Sequence, residues 1–459
     1  MCIITVFAQY DDYLLKNYVN PNYKRQSLDF NVGGYLNNSS YEQKTEQGIN
    51  NSSDIHDYFN TSGNAEANYK RVKNSVATQN ETNVSLLMDG RFYKEKREKD
   101  LGQNILNRGG SHHFELSFSN QGYHYRNSQK FILLTPSVNI STSNQKYKFD
   151  DRSEDSNKDK RNYFSANTSF RLGLGKGRIE EVGDARQAVY ILQDLQKQGV
   201  LKKELSEEEI NELARLITKE KYTRQFDSRI RLIREITAID SFMVVKGYVN
   251  NDHSAEYFTS LYDNWQFANV YRKSGNRFTL GVMPSYRYLD QKNKTVYFNN
   301  NGFTEQNTLK YRIMGMDLFT GFESEKPINL YWQRTTSIEL SSGWQEYKTE
   351  VDKTDMYHTM LIANYGIAYY PNSRTSIGGN ISEGLVYDSN DNYSAISSMA
   401  AINFNMSYYF SPQFRLNLDY RVVHNYSYRD NKDSNMGNFI SKHRYPRNDL
   451  SVSLTYSLF

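Results

Sequence analysis

The chain has few of the residues that stabilise most soluble and secreted proteins of its length. It has 459 residues but one cysteine, Cys2, which excludes an internal disulfide framework. Only 7 prolines occur, and hydrophobic residues make up 38% of the chain, a low share for a large soluble core. No apolar run approaches the roughly 18 residues of a membrane-spanning helix. These absences argue against a disulfide-rich domain and against a helical membrane protein.

Aromatic residues, in contrast, are abundant. Tyr occurs 38 times and Phe 24 times, whereas disordered chains are poor in aromatic residues. A transmembrane β-barrel explains both the aromatics and the low hydrophobicity, because only every second strand residue must be apolar and aromatics collect at the membrane interfaces. The formal net charge of +4, without a basic stripe, gives no basis for nucleic-acid binding. The composition therefore favours a membrane-spanning β-protein that binds no nucleic acid.

Alternation of apolar and polar residues dominates the chain. In residues 278–288, Phe278, Leu280 and Val282 begin an apolar face, and Thr279 and Gly281 lie opposite. About fourteen such segments follow one another, and most exceed the roughly 9–11 residues that cross a bilayer. Their predicted spans are 26–36, 61–75, 82–97, 110–127, 129–149, 161–174, 276–289, 307–324, 328–349, 356–370, 373–388, 394–410, 412–430 and 446–459.

The connections between these segments alternate in length. Tight polar turns at 126–130, 370–374 and 410–414 contrast with longer polar loops at 37–60, 150–161, 290–307 and 430–444. Short turns on one side and long loops on the other are typical of outer-membrane barrels, whose short turns are periplasmic. An even strand count then places both chain termini in the periplasm.

The stretch 183–270 has helical spacing instead. Asp184 is predicted to cap a first helix that Gly199 ends, and Ser206 with Glu209 forms a capping box for a second. A third helix is predicted from about residue 227 and a fourth over about 252–270. None is uniformly apolar, so none is expected to span the membrane. The residues predicted to pack or dock this insert are Val189, Leu192, Leu195, Ile210, Leu213, Ile217, Ile230, Ile233 and Trp265.

The strand count places the insert between the sixth and seventh strands, a periplasmic connection. Two placements follow: a periplasmic domain that caps the barrel, or a plug inside its lumen. A fourteen-strand barrel is intermediate between small filled barrels and porins of roughly 16–18 strands, so one or two helices fit inside but the whole insert does not. A cap that partly occludes the pore is therefore favoured over a plug.

The predicted organisation has five parts. Residues 1–8 are read as a signal-peptide remnant because Val6-Phe7-Ala8 is close to a cleavage signature, with an ordinary N-terminal strand as the alternative. Residues 9–25 form an N-terminal periplasmic segment and 26–174 form barrel strands 1–6. Residues 175–275 form the helical insert, and 276–459 form barrel strands 7–14.

The C-terminal strand, LSVSLTYSLF, supplies a family resemblance. Tyr456 and the final Phe459 resemble the signal that delivers outer-membrane β-barrel proteins to their assembly machinery, although Phe459 is one step out of phase with the apolar face. The chain as a whole resembles Gram-negative outer-membrane β-barrel proteins, of a type with a helical insert between mid-barrel strands. The resemblance implies outer-membrane lipid and the assembly machinery as partners. The expected fold is an all-β transmembrane antiparallel β-barrel of about 14 strands with an α-helical periplasmic or plug insertion.

Charged residues that alternate with apolar neighbours are predicted to line the lumen. They form either a charge network that braces the lumen and holds the insert, or a selectivity ladder, and the network is favoured. The set is Asp89, Arg91, Glu115, Arg171, Arg287, Arg415, Asp419 and Arg421.

Motifs for other chemistry are weak. GLGKGR at 173–178 lacks the GxxxxGKS/T spacing of a phosphate-binding loop and is interpreted as a flexible strand exit. The histidines show no zinc-ligand spacing. No cofactor, metal or enzymatic activity is predicted.

Two function classes remain. The favoured one is a gated or plugged pore that transports small solutes. The alternative is a non-conducting structural or assembly barrel that docks a periplasmic or surface protein through its insert or long loops.

Overall fold

A computed structural model describes residues 10, 13–47, 50–99, 104–127, 129–151, 156–222, 228–250, 254–267, 272–298, 302–411, 414–431 and 439–456. Within them, fourteen antiparallel strands form one sheet in sequence order. The strands are β1 Tyr23–Gln47, β2 Asn50–Ser75, β3 Thr78–Lys99, β4 Asn104–Tyr125, β5 Lys130–Asp151, β6 Ser156–Glu181, β7 Lys273–Tyr297, β8 Thr304–Pro327, β9 Trp332–Thr349, β10 Lys353–Tyr369, β11 Thr375–Ser389, β12 Tyr393–Tyr409, β13 Phe414–Asn431 and β14 Phe439–Tyr456.

Between β6 and β7, the described residues form four α-helices. They are α1 Gly183–Lys197, α2 Glu207–Tyr222, α3 Ser228–Val245 and α4 Ala255–Phe267, and a 3-10 turn at Leu15–Asn17 precedes β1. In the parts of the chain listed above, no helix is long and apolar enough to cross a membrane. The strand order and the position of the helices agree with the predicted antiparallel β-barrel architecture of fourteen strands with a helical insert.

Strands continue well beyond the predicted spans. β1 to β8 have 22 to 26 residues each, whereas β9 to β14 have 15 to 18. Paired strand covers most of the segments 37–60, 150–161 and 290–307, for which the sequence predicts long loops. A hairpin that projects into water needs no apolar face, so its strands lose the alternation but keep the backbone pairing. Residues 432–438 of the fourth predicted loop lie outside the described residues.

One face of the sheet exposes its large apolar side chains. The register places Phe278 of β7 beside Phe322 of β8, and Phe322 beside Ile338 of β9. All three side chains are exposed, as are Ile402 and Leu450 in the C-terminal strands. A continuous exposed apolar face is what a lipid-facing surface requires. We call it the outer face, and the opposite face the inner face.

The insert has its own hydrophobic core. Of the residues predicted to pack it, Val189, Leu192, Leu195, Ile210, Leu213, Ile217 and Trp265 are buried there. Ile233 is instead 62% exposed, because α3 turns a neighbouring stripe of Ile236, Ile239 and Met243 inward. The side chain of Ile230 lies outside the described residues. β6 continues to Glu181 and β7 begins at Lys273, so the helical part is shorter than predicted.

The helix ends agree with two of the three predicted signals. Gly199 has φ +71°, and the amide of Val200 donates to the Leu195 carbonyl at 3.0 Å, a glycine-based helix end. The Ser206 amide donates to the Glu209 carboxylate at 2.8 Å, and the Glu209 amide donates to the Ser206 hydroxyl at 3.4 Å. The predicted capping box is therefore present.

The prediction for the start of α1 is wrong. The N-cap is Val182, which makes no side-chain capping bond. Asp184 is buried and accepts hydrogen bonds from Thr218 at 2.7 Å and from Lys221 at 2.7 Å. Its carboxylate therefore joins α1 to α2, a tertiary role that local spacing does not reveal.

Candidate functional site

The insert docks on the sheet end that carries the short turns. The Tyr190 hydroxyl donates to the Tyr370 carbonyl in the β10–β11 turn at 2.9 Å. In the same turn Arg374 pairs with Asp263 of α4 at 2.6 Å. The Phe267 ring lies 5.6 Å from that of Tyr409 at the end of β12. These contacts attach α1 and α4 to the turns of β8 to β12.

A second attachment is the segment that leads into β1. Tyr10 is buried in the insert core, and its hydroxyl accepts a hydrogen bond from the Leu205 amide at 3.1 Å. The Tyr18 hydroxyl lies 3.3 Å from the Thr218 hydroxyl. Burial raises the pKa of Tyr18. Because this segment continues directly into β1, the insert is tied to two separate parts of the sheet.

On the inner face, Gln79 of β3 joins strands that are far apart in the sheet. Its amide nitrogen donates to the Ile179 carbonyl of β6 at 2.8 Å. Its amide oxygen accepts from the Tyr125 hydroxyl at 2.9 Å and from Arg277 of β7 at 3.0 Å. Three strands separate β3 from β7 in the sheet order. A direct bond between them requires the sheet to curl until their inner faces meet.

Arg178, near the end of β6, reinforces the same crossing. Its guanidinium donates to the carbonyls of Ser75 at 2.9 Å and Val76 at 3.0 Å, and to the Asn74 side chain at 3.0 Å. It also lies 4.7 Å from the centre of the Tyr125 ring. The planar arginine fork therefore binds the β2–β3 turn to β6. We call Gln79, Tyr125, Arg178 and Arg277 the latch.

Glycines allow the strands to approach at the latch. Gly177 and Gly275 have φ of +104° and +129°, which favours glycine. A Cβ on Gly177 would lie 2.1 Å from the Asn276 carbonyl oxygen, and one on Gly175 would lie 2.1 Å from the Phe131 ring. GLGKGR is thus a paired part of β6, which corrects its interpretation as a flexible exit. Its alternating glycines make room for inner aromatic side chains.

Beside the latch, the inner face forms two adjacent cavities of about 340 and 170 Å³. Both cavities are lined by Gln121, Tyr123, Arg277, Glu323 and Ser337. Arg277 lies 3.6 Å from the centre of the Tyr123 ring and donates to Glu323 at 3.3 Å. Tyr123, Tyr125, Phe131, Leu133 and Phe319 form a buried apolar cluster there. The cavities are therefore bounded in part by aromatic rings and by the Arg277–Glu323 ion pair.

The strand register places all eight predicted lumen-lining residues on the inner face: Asp89, Arg91, Glu115, Arg171, Arg287, Arg415, Asp419 and Arg421. Arg171 forms an ion pair with Glu339 and lies 4.6 Å from the centre of the Phe319 ring, beside the smaller cavity. Arg287 donates to Asn167 at 2.8 Å, and Glu115 accepts from Asn139 at 2.6 Å. The eight are spread over β3, β4, β6, β7 and β13, so only Arg171 lies near the cavities and the latch.

The sequence predicted neither the latch nor a buried pair of an aspartate and a histidine on the inner face. Asp317 of β8 is 2% exposed, and its carboxylate lies 3.3 Å from Nε2 of His358 on β10. The only sequence signal near the latch is the run of alternating glycines in β6, which marks close packing but names no partner. In the described ranges, no group of three or more His, Cys, Asp or Glu residues could hold a metal ion.

The predicted targeting residues lie at the end of the last strand. Tyr456 ends β14 on the outer face, with its ring 6.4 Å from that of Phe414. Phe459 lies outside the described residues.

No family model matches the chain, and no curated protein matches it. Among solved structures, the Pseudomonas putida toluene transporter TodX matches at 10% identity over 98% of this chain and 93% of that chain, with a TM-score of 0.28. The Ralstonia pickettii toluene transporter TbuX matches at 8% identity over 98% of this chain and 92% of that one, with a TM-score of 0.30.

A different class of protein matches about as well. The translocator domain of the autotransporter NalP from Neisseria meningitidis shows 9% identity over 86% of this chain and 91% of that domain, with a TM-score of 0.26. With such TM-scores, these likenesses carry no argument about what this chain transports or binds.

Proposed function

We propose that this chain is an outer-membrane β-barrel that passes small solutes, with its periplasmic end closed by the latch and the insert. The observation that carries the proposal is the set of bonds from Gln79 and Arg178 across the inner face, which join strands that open barrels keep apart. The docked insert lies at the same end, next to the short turns. A cap at the pore mouth fits these contacts better than a plug within the lumen.

The two sheet faces and the turn lengths support a placement in the outer membrane. In this proposal the outer face meets outer-membrane lipid, and the short turns, the insert and both termini are periplasmic. We propose that Tyr456 and Phe459 are part of the C-terminal signal that the outer-membrane assembly machinery receives during biogenesis.

The first test is conductance in planar bilayers, with wild type compared to a variant that lacks residues 183–267, which keeps β6 and β7 complete. We expect larger or more frequent channel openings in the deletion variant, because the docked insert is gone. Heat-modifiable gel mobility of both proteins would verify that each barrel is folded. Equal conductance of two folded proteins would contradict the role of the insert in closing the pore.

The second candidate is a barrel that docks a protein partner. It is favoured by apolar side chains that the insert leaves exposed, with Ile233, Val245 and Phe258 all more than half exposed. This candidate predicts no conductance from wild type or the deletion variant. It also predicts a partner that co-purifies only when the insert is present.

A further inference from the structure

We propose that a small oxyanion, a carboxylate or phosphate group, binds between Arg186 and Arg272 where the insert meets the short turns. This site is separate from the latch and does not depend on the pore function.

Arg186 is a fully buried cation with unused donors. Its Nη2 donates to the Asn372 carbonyl at 3.3 Å, and its guanidinium lies between the rings of Tyr190 and Tyr370 at 4.4 and 4.8 Å. Among the described residues, its buried Nε and Nη1 have no hydrogen-bond partner. Buried polar groups are normally satisfied, so these two donors indicate an acceptor that the described part of the chain does not supply.

Arg272 places a second buried guanidinium nearby. It donates to the carbonyls of Asn329 at 2.9 Å and Trp332 at 2.6 Å and to the Gln333 side chain at 3.2 Å, all neutral acceptors. Burial, and then the charge of Arg186, lower the pKa of Arg272 to about 10. For the described residues, no ion pair is recorded with either arginine. Two adjacent cations without an anion are costly to bury.

The helix adds positive potential at the same place. Arg186 lies near the first turn of α1, where the aligned peptide dipoles favour negative charge and disfavour a cation. An oxyanion that accepts from Nε or from Nη1 of Arg186 would satisfy one of these donors and offset the charge of the two arginines.

A groove lies beside this junction, with Arg186 buried behind its wall. It has a volume of about 560 Å³, and its wall includes Tyr190 and Asn372, which both contact Arg186. The two carboxylates of the groove are already engaged, since Asp194 accepts from Asn264 at 3.2 Å and Asp263 pairs with Arg374 at 2.6 Å. Asp263 is therefore compensated by an arginine, whereas Asp194 has neutral donors and keeps its negative charge, and the groove wall also carries the cation Lys197.

The test is titration calorimetry with inorganic phosphate, on the full chain in a phosphate-free maltoside detergent at constant ionic strength. We expect one saturable site in wild type and at least about tenfold weaker binding in Arg186→Gln, because charge-assisted hydrogen bonds are lost. Acetate and a short-chain phosphatidylglycerol, added separately, distinguish a free anion from a lipid headgroup as the natural source. No saturable binding of any of the three to wild type would overturn the proposal.

Thermal unfolding of matched variants tests whether Arg186 binds the anion or has only a structural role. Arg186→Met should unfold no earlier than wild type without phosphate, because an uncompensated cation is removed, and should lose the stabilisation that phosphate gives wild type. Arg374→Gln, an arginine of the same groove that already has a carboxylate partner, should keep that stabilisation. Equal phosphate stabilisation of wild type and Arg186→Met would refute the site.

Discussion

Single residues hold the insert together through buried polar contacts as well as apolar packing. Asp184 is the best example, because its carboxylate accepts from both Thr218 and Lys221 across two helices. The Lys246–Glu212 pair, in contrast, joins two exposed side chains at 2.8 Å. These two carboxylates therefore make a matched comparison between a buried and an exposed ion pair.

Replacement of Asp184 by Ala should destabilise the insert by roughly 2–4 kcal/mol, because Thr218 and Lys221 both lose an ionised acceptor that joins the two helices. Glu212→Ala should cost less than about 1 kcal/mol, as exposed ion pairs do. The free energy of unfolding of the insert, followed by its helical circular dichroism, checks both values. A similar cost for the two variants would mean that the Asp184 contacts stabilise nothing.

The capping box of α2 gives a pH prediction. Interactions with the Tyr248 hydroxyl and then with the Ser206 amide lower the pKa of Glu209 to about 2. A lowered carboxyl pKa contributes stability that is present above the unfolded-state pKa and is lost as the pH falls through the folded-state value. Helix stability should therefore decline from about pH 4.5 towards pH 2. Glu209→Gln should remove this part of the pH dependence, and an unchanged pH profile in that variant would contradict the assignment.

At the scale of elements, glycine positions decide where the paired ends of β6 and β7 bend. Gly177→Ala should destabilise the barrel, because its Cβ would meet the Asn276 carbonyl and its φ is unfavourable for alanine. Gly34→Ala is the control, since its Cβ would lie 3.6 Å from the Ser62 carbonyl oxygen. The temperature at which heat-modifiable gel mobility is lost should fall clearly for Gly177→Ala alone. An equal fall in both variants would argue against strain at Gly177.

Elements were predictable where one physical requirement determines the pattern. Alternation reveals a strand that has one face in lipid, so all fourteen strands were found in order, and their extensions into water were missed. The capping box and Gly199 were found because they act within one turn of chain. The role of Asp184 and the bonds of Gln79 depend on residues roughly 35 to 200 positions away. No local pattern in the sequence encodes such a pairing.

The whole molecule must also close its sheet. In the strand pairs formed by the described residues, the order ends at β1 and β14, whose outer-face residues Phe30 and Leu450 are strongly exposed. Unpaired strand edges cost several kcal/mol per backbone group in hydrocarbon. We therefore predict that β1 pairs with β14 in the membrane. Their outer faces would then be continuous.

Cysteine cross-linking tests this closure. The background variant has Cys2 replaced by Ser and Phe30 replaced by Cys. A second cysteine at Asn448, Leu450 or Val452 should then form an intramolecular disulfide with position 30 in membranes. Cysteines at the inner-face positions Asp449 and Ser451 should not cross-link to position 30, because they lie on the opposite side of the wall. Absence of a disulfide at every outer-face position would contradict a closed barrel.

The most direct test of the central claim is the single-channel conductance of a latch variant in planar bilayers. In Gln79→Ala/Arg178→Gln, the bonds that cross the inner face are lost, so we predict a clearly higher open probability than in wild type. Arg287→Gln, an inner-face arginine outside the latch, should keep the wild-type open probability. A folded double variant that opens no more often than wild type would contradict closure by the latch.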